Sequence, residues 1–154
     1  MYPLVDAQAV LSLGRPWKKA LKPMEKKLQI MIIDDEPIVC KRLKQALVKF
    51  GINVEVFEDS PEAVRRLKEK NFDIVVTDVR MDKVDGIEIL EYIRKYCNLT
   101  RVIIITGYAT VEVAQEALAK GAFDVIAKPF QLNDLRAVIN KAALSLGFSS
   151  IMAI

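Results

Sequence analysis

Histidine is missing from all 154 residues, which removes the commonest general base and metal ligand. Any chemistry therefore falls to Asp, Glu, Lys, Ser, Thr or Tyr. Cysteine is nearly as scarce: Cys40 and Cys97 are the only two, each within a helical pattern and without the spacing of a disulfide framework or a metal site. They read as buried thiols of a reducing compartment. No apolar run approaches the roughly 20 residues of a membrane span, and the start lacks a secretory signal's order of basic residues before an apolar core. A cytoplasmic location without membrane contact is expected. A basic excess is also missing from the body of the chain. The net charge is +3, but residues 1–27 hold six Lys or Arg against two acids, leaving 17 bases against 18 acids beyond them. The electrostatic footprint of a nucleic-acid binder is thus absent, and no direct nucleic-acid contact is expected.

What is present is an ordinary globular composition, 52% hydrophobic and 28% charged, sufficient for one domain with a single sizeable core. Residues 1–27 carry three prolines and no sustained period, and read as a basic N-terminal extension. Their Val10–Leu13 patch with Trp17 is open to a docking role, to a vector-derived origin or to a mis-start before Met24. From Leu28 the chain alternates. LQIMII is a strand, and Asp34, Asp35 and Glu36 lead through Pro37 into a helix reaching Phe50, which Gly51 stops. Asn53–Phe57 is a strand, and Ser60 caps the next helix. The stretch Phe72–Gly86, FDIVVTDVRMDKVDG, holds a β-branched run ending on Asp78. After a helix burying Ile89, Leu90 and Ile93, Arg101–Ile105 is a strand ending on Thr106 and Gly107. Thr110 caps a helix with Val111, Ala114, Ala117 and Leu118 inward, Phe123–Ala127 is a fifth strand ending on Lys128, and the last helix runs from Gln131 to about Leu146. Continuous apolar strands alternating with helices predict an α/β fold, a doubly wound five-stranded parallel sheet with helices on both faces.

In such a sheet the strand C-termini share one edge, where ligands bind. Asp34, Asp35, Asp78, Thr106 and Lys128 all fall there. Singly each has a plain reading: an acid before a helix caps it, a Thr forms a turn, a Lys is solvated. Their gathering at one edge is what favours a site. Three carboxylates together repel unless a cation intervenes, and oxygen-only ligands suit Mg²⁺. Cation, ammonium and hydroxyl around one carboxylate stabilise a phosphoryl group transferring to it. Asp78 thus reads as an aspartyl-phosphate nucleophile, with Thr106 and Lys128 beside it.

The segments IDDEP at 33–37, TDVRM at 77–81, DG at 85–86, TGYAT at 106–110 and GAFDVIAKPF at 121–130 resemble, in order and spacing, the receiver domains of bacterial two-component response regulators. The resemblance covers residues 28–147, leaving 148–154 as a short tail. It implies the strand order 2-1-3-4-5, a cis Lys128–Pro129 bond, and Mg²⁺ held by Asp34, Asp35, Asp78 and the backbone carbonyl of Arg80. It further implies a phosphorylation-dependent switch. Asp78 takes phosphate from a sensor histidine kinase or phosphotransfer protein, and the chain is no enzyme beyond its own phosphorylation and dephosphorylation. Output would pass through the face of the fourth helix, fifth strand and fifth helix to a downstream protein, a missing output domain or a homodimer partner.

Two positions depart from the family. Asp82 stands where proline is common, giving a looser loop and either another carboxylate near the metal or a plain exposed acid. Val125 stands where an aromatic ring usually reports the phosphorylated state, with Phe123 and Tyr108 as candidates to compensate. Arg80 and Tyr108, two positions after acceptor and threonine, would flank the phosphoryl group. Two alternatives stay open: a phosphorylation-independent receiver-like scaffold, and a haloacid dehalogenase-like phosphatase. The latter is disfavoured because Asp78 is followed two residues on by Arg80 and not by a second acid. A flavodoxin-like carrier is excluded by the acidic loop after the first strand.

Overall fold

The computed structural model describes residues 26–149. The Val10–Leu13 patch, Trp17 and the IMAI end lie outside them. Among the described residues five strands and five helices alternate: β1 (Gln29–Ile33), α1 (Pro37–Val48), β2 (Asn53–Phe57), α2 (Ser60–Glu69), β3 (Ile74–Asp78), α3 (Gly86–Tyr96), β4 (Arg101–Thr106), α4 (Val111–Ala119), β5 (Asp124–Ala127) and α5 (Leu132–Ser145). All pairings are parallel and the order is β2-β1-β3-β4-β5, as expected.

Successive strand residues point to opposite faces, and here both faces are dry. Ile30, Ile32, Val76 and Ile103 pack with Cys40, Leu43 and Leu47 of α1 and Leu135 and Ile139 of α5. Met31, Ile33, Val75 and Ile104 pack on the other side with Leu67 of α2, Ile89, Leu90 and Ile93 of α3 and Ala117 of α4. That double covering is why the strands read as unbroken apolar runs. Among the described residues no helix is long and apolar enough to cross a membrane.

Three local expectations are corrected. The helix α1 ends at Val48 instead of Phe50, with Gly51 in the left-handed region at φ 71°. Asp59, and not Ser60, caps α2, accepting a hydrogen bond from the Glu62 amide. In α4 only Ala117 is buried, while Val111 and Leu118 are 67% and 50% exposed. At 100° per residue these two lie roughly 100° or more from the direction of Ala117, so one face cannot bury all three. Helix α3 buries two isoleucines and a leucine completely, worth about 5 kcal/mol or more of burial against about 1 for the single methyl of Ala117. The helix α4 is therefore the more weakly anchored of the two.

Candidate functional site

Strand β3 delivers Asp78 to the C-terminal edge of the sheet's centre, where the residue is 7% exposed. Neighbouring β1 delivers Asp34, fully buried, and Asp35, exposed. One carboxylate oxygen from each of the three lies within 4.8 Å of the others. Lys128, just past β5, reaches across: its Nζ is 2.8 Å from Asp34 Oδ2, 2.8 Å from Asp78 Oδ2 and 3.4 Å from Glu36 Oε1. The Lys128–Pro129 bond is cis, as the resemblance implied.

Backbone geometry holds these groups in place. The Glu36 amide donates to Asp34 Oδ1 at 2.9 Å, fixing the acidic corner before α1. The Cys40 thiol beneath it donates to the Asp34 carbonyl at 3.2 Å; burial, with the nearby Asp34 charge, pushes this thiol up to about 11. Both cysteines are free. Across the loop after β3, the Gly86 amide donates to the Val79 carbonyl at 2.8 Å, and a Cβ on Gly86 would collide with the Asp78 carbonyl group. Glycine is required there by close approach, and Asp85 caps α3 by accepting from the Glu88 amide.

The electrostatics follow from three acids and one base in a dry corner. Burial pushes the Asp34 carboxyl above its ordinary value, with the Lys128 contacts and the Glu36 amide only partly opposing the shift. Burial alone would lower Lys128; its hydrogen bonds to Asp34 and Asp78 outweigh that and raise the ammonium above its usual range. A single ammonium leaves negative charge over, and the three aspartates offer only oxygen donors. Such a group could hold a hard divalent cation, sharing its remaining positions with water or a phosphoryl oxygen.

The other expected residues are placed as follows. Thr106 is buried, and its Oγ1 accepts from the Tyr108 amide at 3.0 Å and makes no hydrogen bond to Asp78. The Arg80 guanidinium stacks on the Tyr108 ring, 3.7 Å from its centroid. Asp82 is exposed and lies outside the group of three carboxylates. It lines, with Asp35, Arg80, Met81 and Asp85, a cleft of about 700 Å³ beside that group. Its loop is tethered and not loose, because the Ser60 hydroxyl bonds the Asp82 carbonyl and the Val84 amide. Val125 is half-buried on the α4 side of the sheet, whereas Phe123 packs into the opposite cluster. Phe123 therefore cannot substitute for a ring at 125, and the half-exposed Tyr108 stands at the rim. In the sequence Glu36 reads as an acid suited to a helix start, yet its side chain makes no capping bond and turns to Lys128. The unbroken Asp-Asp-Glu run was the available signal.

Residues 30–140 match the family model described as the response regulator receiver domain. The chain is 36% identical over 115 residues to the transcriptional regulatory protein ZraR of Escherichia coli O157:H7, covering 75% of this chain and 26% of that protein. Among solved structures it is similar to a response regulator receiver domain protein from Clostridium thermocellum, with 34% identity, a TM-score of 0.72, and coverage of 77% and 95% of the two chains. It is also similar to the beryllofluoride-activated NtrC4 receiver domain dimer, with 29% identity, a TM-score of 0.72, and coverage of 76% and 97%. The chain spans about a quarter of the length of the curated relatives it matches.

Proposed function

Because this chain belongs to the response regulator receiver family, we propose that it is a phosphorylation switch in which Asp78 accepts a phosphoryl group from a histidine kinase or phosphotransfer protein. The observation that carries this is the buried Asp78 carboxylate held by Lys128 within a group of three aspartates. Asp34, Asp35 and Asp78, with the Arg80 carbonyl, are the residues that would hold Mg²⁺. When bound, that ion neutralises the carboxylates and the charge developing on the transferring phosphoryl oxygens.

The chain's own groups do the rest. Lys128 orients Asp78 through Oδ2, leaving Oδ1 without a hydrogen bond among the described residues and open to the phosphorus. As the Asp78 oxygen bonds to phosphorus and the donor's bond to phosphorus breaks, Lys128 is near enough to shift from carboxylate to phosphoryl oxygen. The Thr106 hydroxyl hydrogen has no acceptor among the described residues and is available to a phosphoryl oxygen. Because Thr106 Oγ1 also holds the Tyr108 amide, turning that hydroxyl disturbs the loop leading into the weakly anchored α4. Output would then leave through α4, β5 and α5, where Tyr108, Val111, Leu118 and Leu132 are exposed. A homodimer is in keeping with the activated NtrC4 receiver being a dimer, and here it would use that face. Residues 28–147 would form the switch, in the cytoplasm where kinases and phosphodonors reside. The lack of nucleic-acid contact expected from charge concerns this domain alone. The ZraR relative is a transcriptional regulator, which gives no support to extending that expectation to a longer protein.

The test is incubation with acetyl phosphate and Mg²⁺ followed by intact-mass measurement. One phosphoryl adduct per chain is expected, and its absence would favour the phosphorylation-independent scaffold. The stacked Arg80 and Tyr108 side chains screen the site from water, so the phosphorylated protein should lose its adduct slowly. In an Arg80→Ala, Tyr108→Ala double variant the first-order loss, followed by mass, should be about three- to tenfold faster. Equal or slower loss would show that the pair screens nothing.

A further inference from the structure

The hydroxyl of Ser60, freed from capping because Asp59 does that work, crosses to the loop after β3. Ser60 is 2% exposed. Its Oγ donates to the Asp82 carbonyl at 3.1 Å and accepts from the Val84 amide at 3.2 Å. Between those two residues Lys83 adopts φ 71°, a left-handed conformation that a non-glycine residue keeps only when its surroundings hold it there. Lys83 Nζ also lies 3.3 Å from Asp59 Oδ1, so two successive residues at the start of α2 grip one turn of the loop. On either side of that turn, Met81 and Val84 pack against the core.

We propose that Ser60 is a positioning residue for the acceptor loop. Its single hydroxyl satisfies one carbonyl and one amide of the Asp82–Val84 turn, and so sets the backbone from Val79 to Met81 that leads out of Asp78. This rests on the proposed roles of Asp78 and the Arg80 carbonyl, because the clasp would act on the metal only through the backbone that carries that carbonyl. Without the hydroxyl, two backbone groups lose their partner at once and the left-handed turn loses its restraint. The backbone that carries the Arg80 carbonyl then loses its fixed course, while the sheet and its packed helices stay as they are.

The experiment compares the full chain with Ser60→Ala and Ser60→Thr, all shown to be folded by circular dichroism. Val84 amide exchange should be about tenfold or more faster in Ser60→Ala, and the dissociation constant for Mg²⁺ alone, by calorimetric titration, should rise about tenfold. Ser60→Thr, which keeps the hydroxyl, should restore both. Unchanged exchange in folded Ser60→Ala would overturn the clasp. Faster exchange with unchanged Mg²⁺ affinity, or a folded Ser60→Thr no better than Ala, would overturn its positioning role. If Ser60→Ala does not fold, Ser60→Cys keeps the shape, slightly enlarged, with a much weaker hydrogen-bonding group, and the same readings apply. A wild-type protein that binds no Mg²⁺ would overturn both the functional reading and the positioning role, while amide exchange would still judge the clasp.

Discussion

Asp78→Asn should take up no phosphoryl group from acetyl phosphate, with a rate at least about a thousandfold below that of the wild type. The substitution is nearly isosteric, so the fold and the Lys128 contact geometry survive it. What it removes is the anionic oxygen. The Asp78 carboxylate has one oxygen held at 2.8 Å by Lys128 and the other without a hydrogen bond among the described residues, whereas an amide offers a poor nucleophile. The measurement is intact mass over time with Mg²⁺ and acetyl phosphate in excess. An adduct on Asp78→Asn at wild-type rate would place the acceptor elsewhere, with Asp34 and Asp35 as the nearest carboxylates.

The second large effect is expected from Lys128→Ala. Lys128 is the cation set between fully buried Asp34 and nearly buried Asp78. Its removal leaves two carboxylates facing each other, and breaking such a pair costs about 3 kcal/mol at neutral pH. The loss should appear as a lower denaturant midpoint without added metal, partly recovered by Mg²⁺. Phosphorylation should slow by about a hundredfold, because the ammonium no longer meets the developing charge. The pH dependence carries a sign. Burial already holds Asp34 above its ordinary value, so its ionisation opposes folding, and the cost appears as pH rises through the unfolded carboxylate range toward the folded value. Without Lys128 the folded value moves further up. The variant should therefore recover stability on acidification from neutrality more than the wild type does. Lys128 itself is shifted upward, so its contribution is full below the unfolded lysine value and is lost only as pH rises through the folded one, in strong alkali. A stability gap that stays constant from neutral to mildly acidic pH would contradict this account.

How these groups come to meet was legible to different depths. Ile74–Thr77 and Val102–Ile105 announce strands covered on both faces because each residue of a doubly covered strand meets apolar neighbours, whichever way it points. Glycines, prolines and caps mark the helices between them, and once the sheet is parallel its C-terminal edge must carry Asp34, Asp78, Thr106 and Lys128. That far, local chemistry and a topological rule suffice.

Beyond it, the outcome depended on contacts between residues far apart in the chain. Asp59 and Ser60 are both good caps; which one caps and which crosses to Asp82 depends on a loop 22 residues away. Glu36 reads as an acid at a helix start until Lys128, 92 residues on, draws it off. Helix α4 carries apolar residues on more than one side, and its seat on β5 determines that Ala117 goes in while Val111 and Leu118 stay out. The sequence by itself determined the strand–helix alternation, the order of acids, hydroxyl and lysine, and the edge they share, because these follow from local propensity and parallel connection. Only the tertiary structure decided that Lys128 bridges Asp34 and Asp78, that Arg80 lies on Tyr108, and that Ser60 holds the acceptor loop, because each of these contacts joins groups from separate elements whose approach is set by packing.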